Sequence, residues 1–296
     1  MRLLHSFAFV AAVTVAAVTN WPSDDSACSA SGEDVDQAAG GCSMIQRQSS
    51  FQEVKLHRDL AESLSHRNAR NNFLLQLVGN NISKAELSLA VQELQSYLEA
   101  LGFPDFGKEG HVVEVGELAQ QTAKYDEWAN LWNFRTVCET GFNAGDSALR
   151  FLAQTDAQVY EFDLCEHQYS RPAADYLDKK FPNRLHLTCG DSMKTLPEFR
   201  KRYNNVKCDL VIIDGGHSLE VATADLQNLA LMAHENALVV IDDAPCTASW
   251  CEGPTEAWKE FVDNGCIVAP TEIGMNPYRG FSYGLLKSCT LMMAST

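Results

Sequence analysis

From Thr136 to Leu286, short apolar runs alternate with stretches of helical spacing, and this alternation constrains the fold more than anything else in the chain. The runs Thr136–Glu139, Gln158–Asp163, Arg184–Leu187, Asp209–Asp214, Ala237–Ile241, Cys266–Pro270 and Phe281–Leu286 read as strands. Ser147–Gln154, Pro172–Phe181, Met193–Tyr203, Leu219–His234 and Pro254–Asn264 read as helices between them. A strand reaches a parallel neighbour only through a crossover, so strands alternating with helices predict an α/β fold. The expectation is a doubly wound, mostly parallel, seven-stranded sheet with helices on both faces. No helix separates the last two strands, so one of them is expected to run antiparallel as an edge hairpin.

The part before residue 133 has a different texture. Arg2 precedes an apolar run, Leu3 to Val18, and nothing acidic appears before Asp24. That run is shorter than the ~20 residues of a comfortable bilayer span, so residues 1–22 read as a secretory-type targeting segment. The alternatives are an uncleaved anchor and a buried N-terminal helix, the last disfavoured by the polar, acidic stretch that follows. No stable membrane span is expected once it is removed. Residues 23–50, rich in Ser, Asp, Gly and Gln, read as a flexible linker. Residues 51–132 read as a helical extension in front of a domain over 133–290. Within it Leu87, Val91, Leu94 and Leu98 recur at helical spacing, Ser83 with Glu86 forms a capping box, and Gly102-Phe103-Pro104 ends the helix. A second helix is expected over Glu114–Trp132. The net charge of −16 disfavours a nucleic-acid partner and a polybasic lipid contact, leaving a small molecule as the expected ligand. Ten cysteines follow the targeting segment without a regular framework; Cys246 and Cys251 are close enough in sequence to pair. The sequon Asn81-Ile82-Ser83 is usable only in the secretory route.

Ligands of doubly wound sheets bind beyond the carboxyl ends of the strands. Five such ends carry polar residues. After the first strand comes Glu139-Thr-Gly141-Phe-Asn143-Ala-Gly145, where glycines let the backbone approach a ligand and Glu139 suits a cationic group. The same pattern also serves as a plain strand-to-helix turn. Asp163 lies about twenty residues beyond Gly141, the spacing at which an acid meets ribose hydroxyls, or it caps the next turn. Asp191 and Ser192 border an adenine or cap a helix, and both roles are open. Asp214 and the pair Asp242-Asp243 end two strands expected to be adjacent. Three carboxylates at one point repel one another, which a hard divalent ion such as Mg²⁺ resolves; the alternative is capping by Asp214 and a turn at Asp242-Asp243. His217 has the pKa range of a general base. Trp250 and the Met275–Arg279 loop are candidates for an acceptor pocket.

Together these features resemble the class I S-adenosylmethionine-dependent methyltransferases, most closely the small-molecule O-methyltransferase-like group called methyltransferase family 24. Ile213-Asp214-Gly-Gly-His217-Ser218 with Ala224-Asp225-Leu226 is the most specific part of the resemblance. It implies a Rossmann-like sheet that holds S-adenosylmethionine. Glu139, Gly141, Asn143 and Gly145 would lie on the methionine side, Asp163 at the ribose, Asp191 and Ser192 at the adenine, and Asp214 beside the cofactor. It further implies catalysis by His217 and Asp214, with Asp214, Asp242 and Asp243 as ligands if Mg²⁺ assists. The related catechol and caffeoyl-CoA type enzymes carry a catalytic Lys where this chain has His217. Two other functions compete: a catalytically degenerate binding protein of the same fold, and an NAD-dependent oxidoreductase. The latter is disfavoured by the missing third glycine of the dinucleotide motif.

Overall fold

The computed structural model describes residues 82–103 and 116–289. The expected targeting segment, the linker, the helical stretch up to residue 81 (Asn81 of the sequon included), and residues 114–115 of the expected second helix lie outside them. Among the described residues no helix is long and apolar enough to cross a membrane.

Helix α1 (Lys84–Ala100) buries Leu87, Ala90, Val91, Leu94 and Leu98 along one stripe. Its start is fixed by the capping box: Glu86 N–H donates to Ser83 Oγ, and Ser83 N–H donates to Glu86 Oε2 at 2.8 Å. A 3₁₀ turn, Gly116–Leu118, leads into α2 (Ala119–Leu131), which is shorter than expected at its start. Then come β1 (Thr136–Thr140), α3 (Asp146–Gln154), β2 (Gln158–Asp163), α4 (Ser170–Lys180), β3 (Leu185–Cys189), α5 (Ser192–Arg202) and β4 (Cys208–Ile213). The chain continues through α6 (Leu219–Met232), β5 (Ala233–Asp242), α7 (Glu252–Asp263), β6 (Ile267–Asn276) and β7 (Arg279–Leu286).

The seven strands form one sheet in the order β3-β2-β1-β4-β5-β7-β6. All pairs up to β5 are parallel, and β7 runs antiparallel between β5 and β6. The hairpin is therefore at the edge as expected, with β6 outermost. Strand order reverses between β1 and β4, and a crevice opens at that switch point. Two strand boundaries differ most from expectation. Helix α6 stops at Met232 and β5 begins at once, with a register irregularity before Leu238 beside left-handed Asn236. Strand β6 runs past Pro270, because a bulge between Val268 and Thr271 takes up a residue without an N–H on an edge that needs no ladder bond there.

Side chains alternate across the sheet. Val137, Val159, Leu210, Ile212, Leu238 and Val240 face a core completed by α1 to α4, whereas Cys138, Phe162, Val211, Ile213, Val239 and Ile241 face α5 to α7. By the same period Glu139, Glu161, Asp214 and Asp242 fall on the first face, at its carboxyl edge. Helices α2 and α3 cover that edge and are joined by a charge pair. Arg150, only 1% exposed, donates from Nη1 to both oxygens of Asp126 at 2.9 Å, and Gln154 Nε2 donates to Asp126 Oδ1 at 2.8 Å.

Among the described residues four disulfides form: Cys138–Cys208, Cys165–Cys189, Cys246–Cys251 and Cys266–Cys289. Spacing alone suggested only the third, since the others join residues that the sheet order makes neighbours.

Removing one partner of a buried ion pair leaves an uncompensated charge. Asp126→Ala is expected to lower unfolding free energy by about 3 kcal/mol, read by urea denaturation, with Asp126→Ala/Arg150→Met recovering part of the loss.

Candidate functional site

A cavity of about 350 Å³ opens at the switch point. Among the described residues lining it are six Asp and one Glu, against one Arg and two His. That imbalance makes the cavity attractive to a cation.

The loop after β1 is shaped by close backbone approach. Gly141 has φ of 97°, and a Cβ there would lie 1.7 Å from the Asp214 carbonyl oxygen. Only glycine lets β1 and β4 end so near each other. Gly141 N–H donates to the Phe162 carbonyl and Asp214 N–H to the Thr140 carbonyl, each at 2.9 Å, so the ends of β1, β2 and β4 are laced together. Gly145 is left-handed and precedes α3; a Cβ on it would meet the Phe142 ring and Leu177 below 3.0 Å. Gly141 and Asn143 line the cavity. Gly145 and Glu139 stand behind it. Glu139 is fully buried and accepts from Ser147 Oγ at 2.8 Å, holding the first turn of α3. Burial raises its pKa to about 7. Glu161, its register partner on β2, is raised well above the carboxylate range by burial and by Glu139.

Asp163 ends β2 on the cavity wall. Its Oδ2 accepts from Asn143 N–H at 3.0 Å and its Oδ1 from Cys165 N–H at 2.5 Å. Asp191 and Ser192 line the same end of the cavity. Asp191 is also the cap of α5, with Oδ1 accepting from Met193 N–H at 3.0 Å and Oδ2 lying 2.9 Å from Lys194 Nζ. The capping role is observed, and the same residue lines the cavity. Sequence reasoning passed over Asp225, a fully buried residue of α6 that lies under Gly215 beside Thr140, its pKa raised by burial to about 6. The signal was its place in the Ala224-Asp225-Leu226 segment, which had been used for resemblance alone.

At the other end, ligand oxygens of Asp214, Asp242 and Asp243 all lie within 4.8 Å of one another. Burial and then the two neighbouring acids push Asp214 well above its ordinary range; burial, then Asp243, pushes Asp242 to about 6. Gln121 of α2 donates to Asp242 Oδ1 at 3.0 Å and to Tyr125 Oη at 3.2 Å, contacts that only the tertiary fold reveals. Asp243 is left-handed and takes His217 Nε2 at 3.0 Å on one oxygen and Arg279 Nη1 at 3.4 Å on the other. The hydrogen bond to Asp243 raises the His217 pKa. Trp250 packs against both cations, its ring centroid 5.4 Å from the His217 ring and 5.5 Å from the Arg279 guanidinium carbon. Arg279 lines the cavity.

Three hard oxygen donors that repel one another are the donor set of a Mg²⁺-type ion, and these residues fit one. The glycine-bared wall and the acidic lining likewise fit a cationic cofactor bearing a ribose and an adenine.

A seven-stranded sheet of this order, with acids and glycines at the ends of β1 to β5, is the sheet of the class I methyltransferase fold. Residues 138–244 match the model of a methyltransferase domain family, the one numbered 24. No curated protein matches the chain. Solved structures with the same fold include cofactor-bound Rv0187 from MTB, at 19% identity and TM-score 0.52, covering 67% of this chain and 89% of that one. An O-methyltransferase from Bacillus cereus in complex with SAH has 13% identity and TM-score 0.52, covering 67% and 90%. The O-methyltransferase TomG from Streptomyces achromogenes, involved in tomaymycin synthesis and solved with SAM, has 17% identity and TM-score 0.52, covering 67% and 90%.

Glu139, Asp225 and Asp242 all have folded-state pKa values above their ordinary ones, so each favours the native state when protonated. Their contribution is complete below about pH 4 and is lost as pH rises through about 6 to 7. His217, also raised, acts in the same direction. The urea midpoint of the ligand-free protein is expected to fall between pH 5 and pH 8, and Glu139→Gln to narrow that fall. A midpoint that rises over this range would contradict the assignment.

Proposed function

We propose that the chain transfers a methyl group from S-adenosylmethionine to an oxygen of a small-molecule acceptor, with His217 as general base. The observation that carries the reading is the convergence of five strand ends on one acidic cavity within a segment that matches a methyltransferase domain.

On this reading Gly141 and Asn143 hold the methionine portion, with Glu139 and Gly145 shaping the loop from behind. Asp163 accepts from the ribose hydroxyls, and Asp191 with Ser192 borders the adenine. Asp214 faces the positive end of the cofactor. S-adenosylmethionine supplies an electrophilic methyl group on a sulfonium, which leaves as a neutral thioether. The protein's part is to align an acceptor oxygen with that methyl and to exclude water. His217 removes the proton from the acceptor hydroxyl as the new C–O bond forms. Asp243 orients the imidazole through Nε2 and stabilises the imidazolium, as an acid partnering a histidine base does. Arg279 and Trp250 wall the acceptor side. Asp214, Asp242 and Asp243 would hold Mg²⁺, which when bound lowers the pKa of a coordinated hydroxyl.

Neither nucleic acid nor a membrane surface suits a cavity and a chain so acidic. All eight described cysteines are paired in bridges. Together with the N-terminal apolar run, this supports a destination in the oxidising secretory pathway.

Thermal-shift measurements with S-adenosylmethionine, S-adenosylhomocysteine and NAD test the cofactor. Stabilisation by the first two alone is expected; stabilisation by NAD alone would remove the reading, and no shift with any would favour a binding protein of this fold. In methyl-transfer assays His217→Ala should lower kcat by about a hundredfold or more while leaving S-adenosylhomocysteine binding intact. Asp242→Ala should abolish Mg²⁺-stimulated turnover; activity unchanged by this variant and by chelator would take Asp242 out of the site.

A further inference from the structure

The Cys165–Cys189 bridge lies against the cavity rather than in the body of the sheet. Asp163, the last residue of β2, pairs in register with Cys189, the last of β3. Past it the chain turns at Cys165, whose φ of 56° lies in the left-handed region that residues with a Cβ seldom adopt. The Cys165 N–H at the head of this turn donates to Asp163 Oδ1 at 2.5 Å, while Asn143 N–H donates to Oδ2 at 3.0 Å. Gly190, directly after Cys189, donates its N–H to the Asp163 carbonyl at 2.8 Å. Packing does little to hold this turn. Leu164, between Asp163 and Cys165, is 58% exposed on the cavity rim, and Glu166 is exposed as well. A covalent link ties residue 165 to the end of β3.

We propose that the Cys165–Cys189 disulfide is the positioning element of the ribose-binding turn, holding residue 165 left-handed so that Asp163 is oriented before the cofactor arrives. The inference rests on the cofactor reading above. The bridge acts through Asp163 and touches no reacting atom. Its effect falls on cofactor affinity, because an acid that must be ordered during binding costs affinity that a preset one does not. The Cys266–Cys289 bridge provides the contrast: Leu164, Glu166 and Gly190, which flank Cys165 and Cys189, line the cavity, whereas neither residue flanking Cys266 does.

The test is calorimetric titration of the full chain with S-adenosylhomocysteine, alongside melting temperatures. Cys165→Ser/Cys189→Ser is expected to bind about tenfold more weakly than the native chain. Cys266→Ser/Cys289→Ser should melt earlier yet bind as the native chain does. Cys165→Gly/Cys189→Ser should recover most of the affinity without the bridge, because glycine adopts the left-handed turn at little cost. In an Asp163→Ala background, loss of the bridge should weaken binding no further, the non-additivity expected of groups acting as a unit. Native affinity in the Cys165→Ser/Cys189→Ser variant, or the same tenfold loss with Asp163 already gone, overturns the proposal. If neither variant of this bridge folds, the bridge serves the whole fold and the positioning role is overturned. Failure of the native chain to bind S-adenosylhomocysteine would strike the cofactor reading instead.

Discussion

Four carboxylates, Glu139, Glu161, Asp214 and Asp242, crowd the carboxyl edge of one sheet face, and the rest of the site is organised around that repulsion. Their placement follows from strand alternation, which puts every second residue of β1, β2, β4 and β5 toward α2 and α3. The ligand-free protein meets the cost in two ways. Burial raises the pKa values, so protons neutralise part of the cluster near pH 7. Donors from elsewhere take up particular oxygens: Ser147 on Glu139, Gln121 on Asp242, and His217 with Arg279 on Asp243. A cation entering the cavity does the same task more completely. The edge is thus built for a positively charged cofactor, and its ligand-free form carries an electrostatic cost that binding relieves.

Much of this architecture was legible because it depends on period and punctuation. The strands of the parallel half, the edge hairpin and the stripe on α1 follow from where apolar residues recur. The glycine at 141 follows from a strand that must end against another backbone. What stayed hidden depends on which strands become neighbours. The Cys138–Cys208 pair joins β1 to β4, partners only because strand order reverses there. Gln121 reaches Asp242 across 121 residues of sequence because α2 lies over the sheet edge. Pro270 looked like the end of a strand because a bulge on an edge cannot be told from a stop by composition. Glu139 was legible as an acid at the right strand end, but not its position one layer behind the cavity wall.

The charged residues at the acceptor end form a connected set rather than separate sites. Asp243 is held left-handed, links His217 to Arg279, and through them faces Trp250. On the proposed mechanism, the base in this set is oriented by an acid that also belongs to the candidate metal donors. Where related enzymes have a lysine, the imidazole offers a group that titrates nearer neutral pH and can both take and release the proton.

The central claim is that the cofactor lies along the ends of β1, β2, β3 and β4. Hydrogen–deuterium exchange with and without S-adenosylhomocysteine tests it most directly. The account predicts slowed exchange at 141–145, 163–165, 190–193 and 214–217, with the strand interiors unchanged. Protection confined to other surfaces, or none at a saturating concentration, would contradict it.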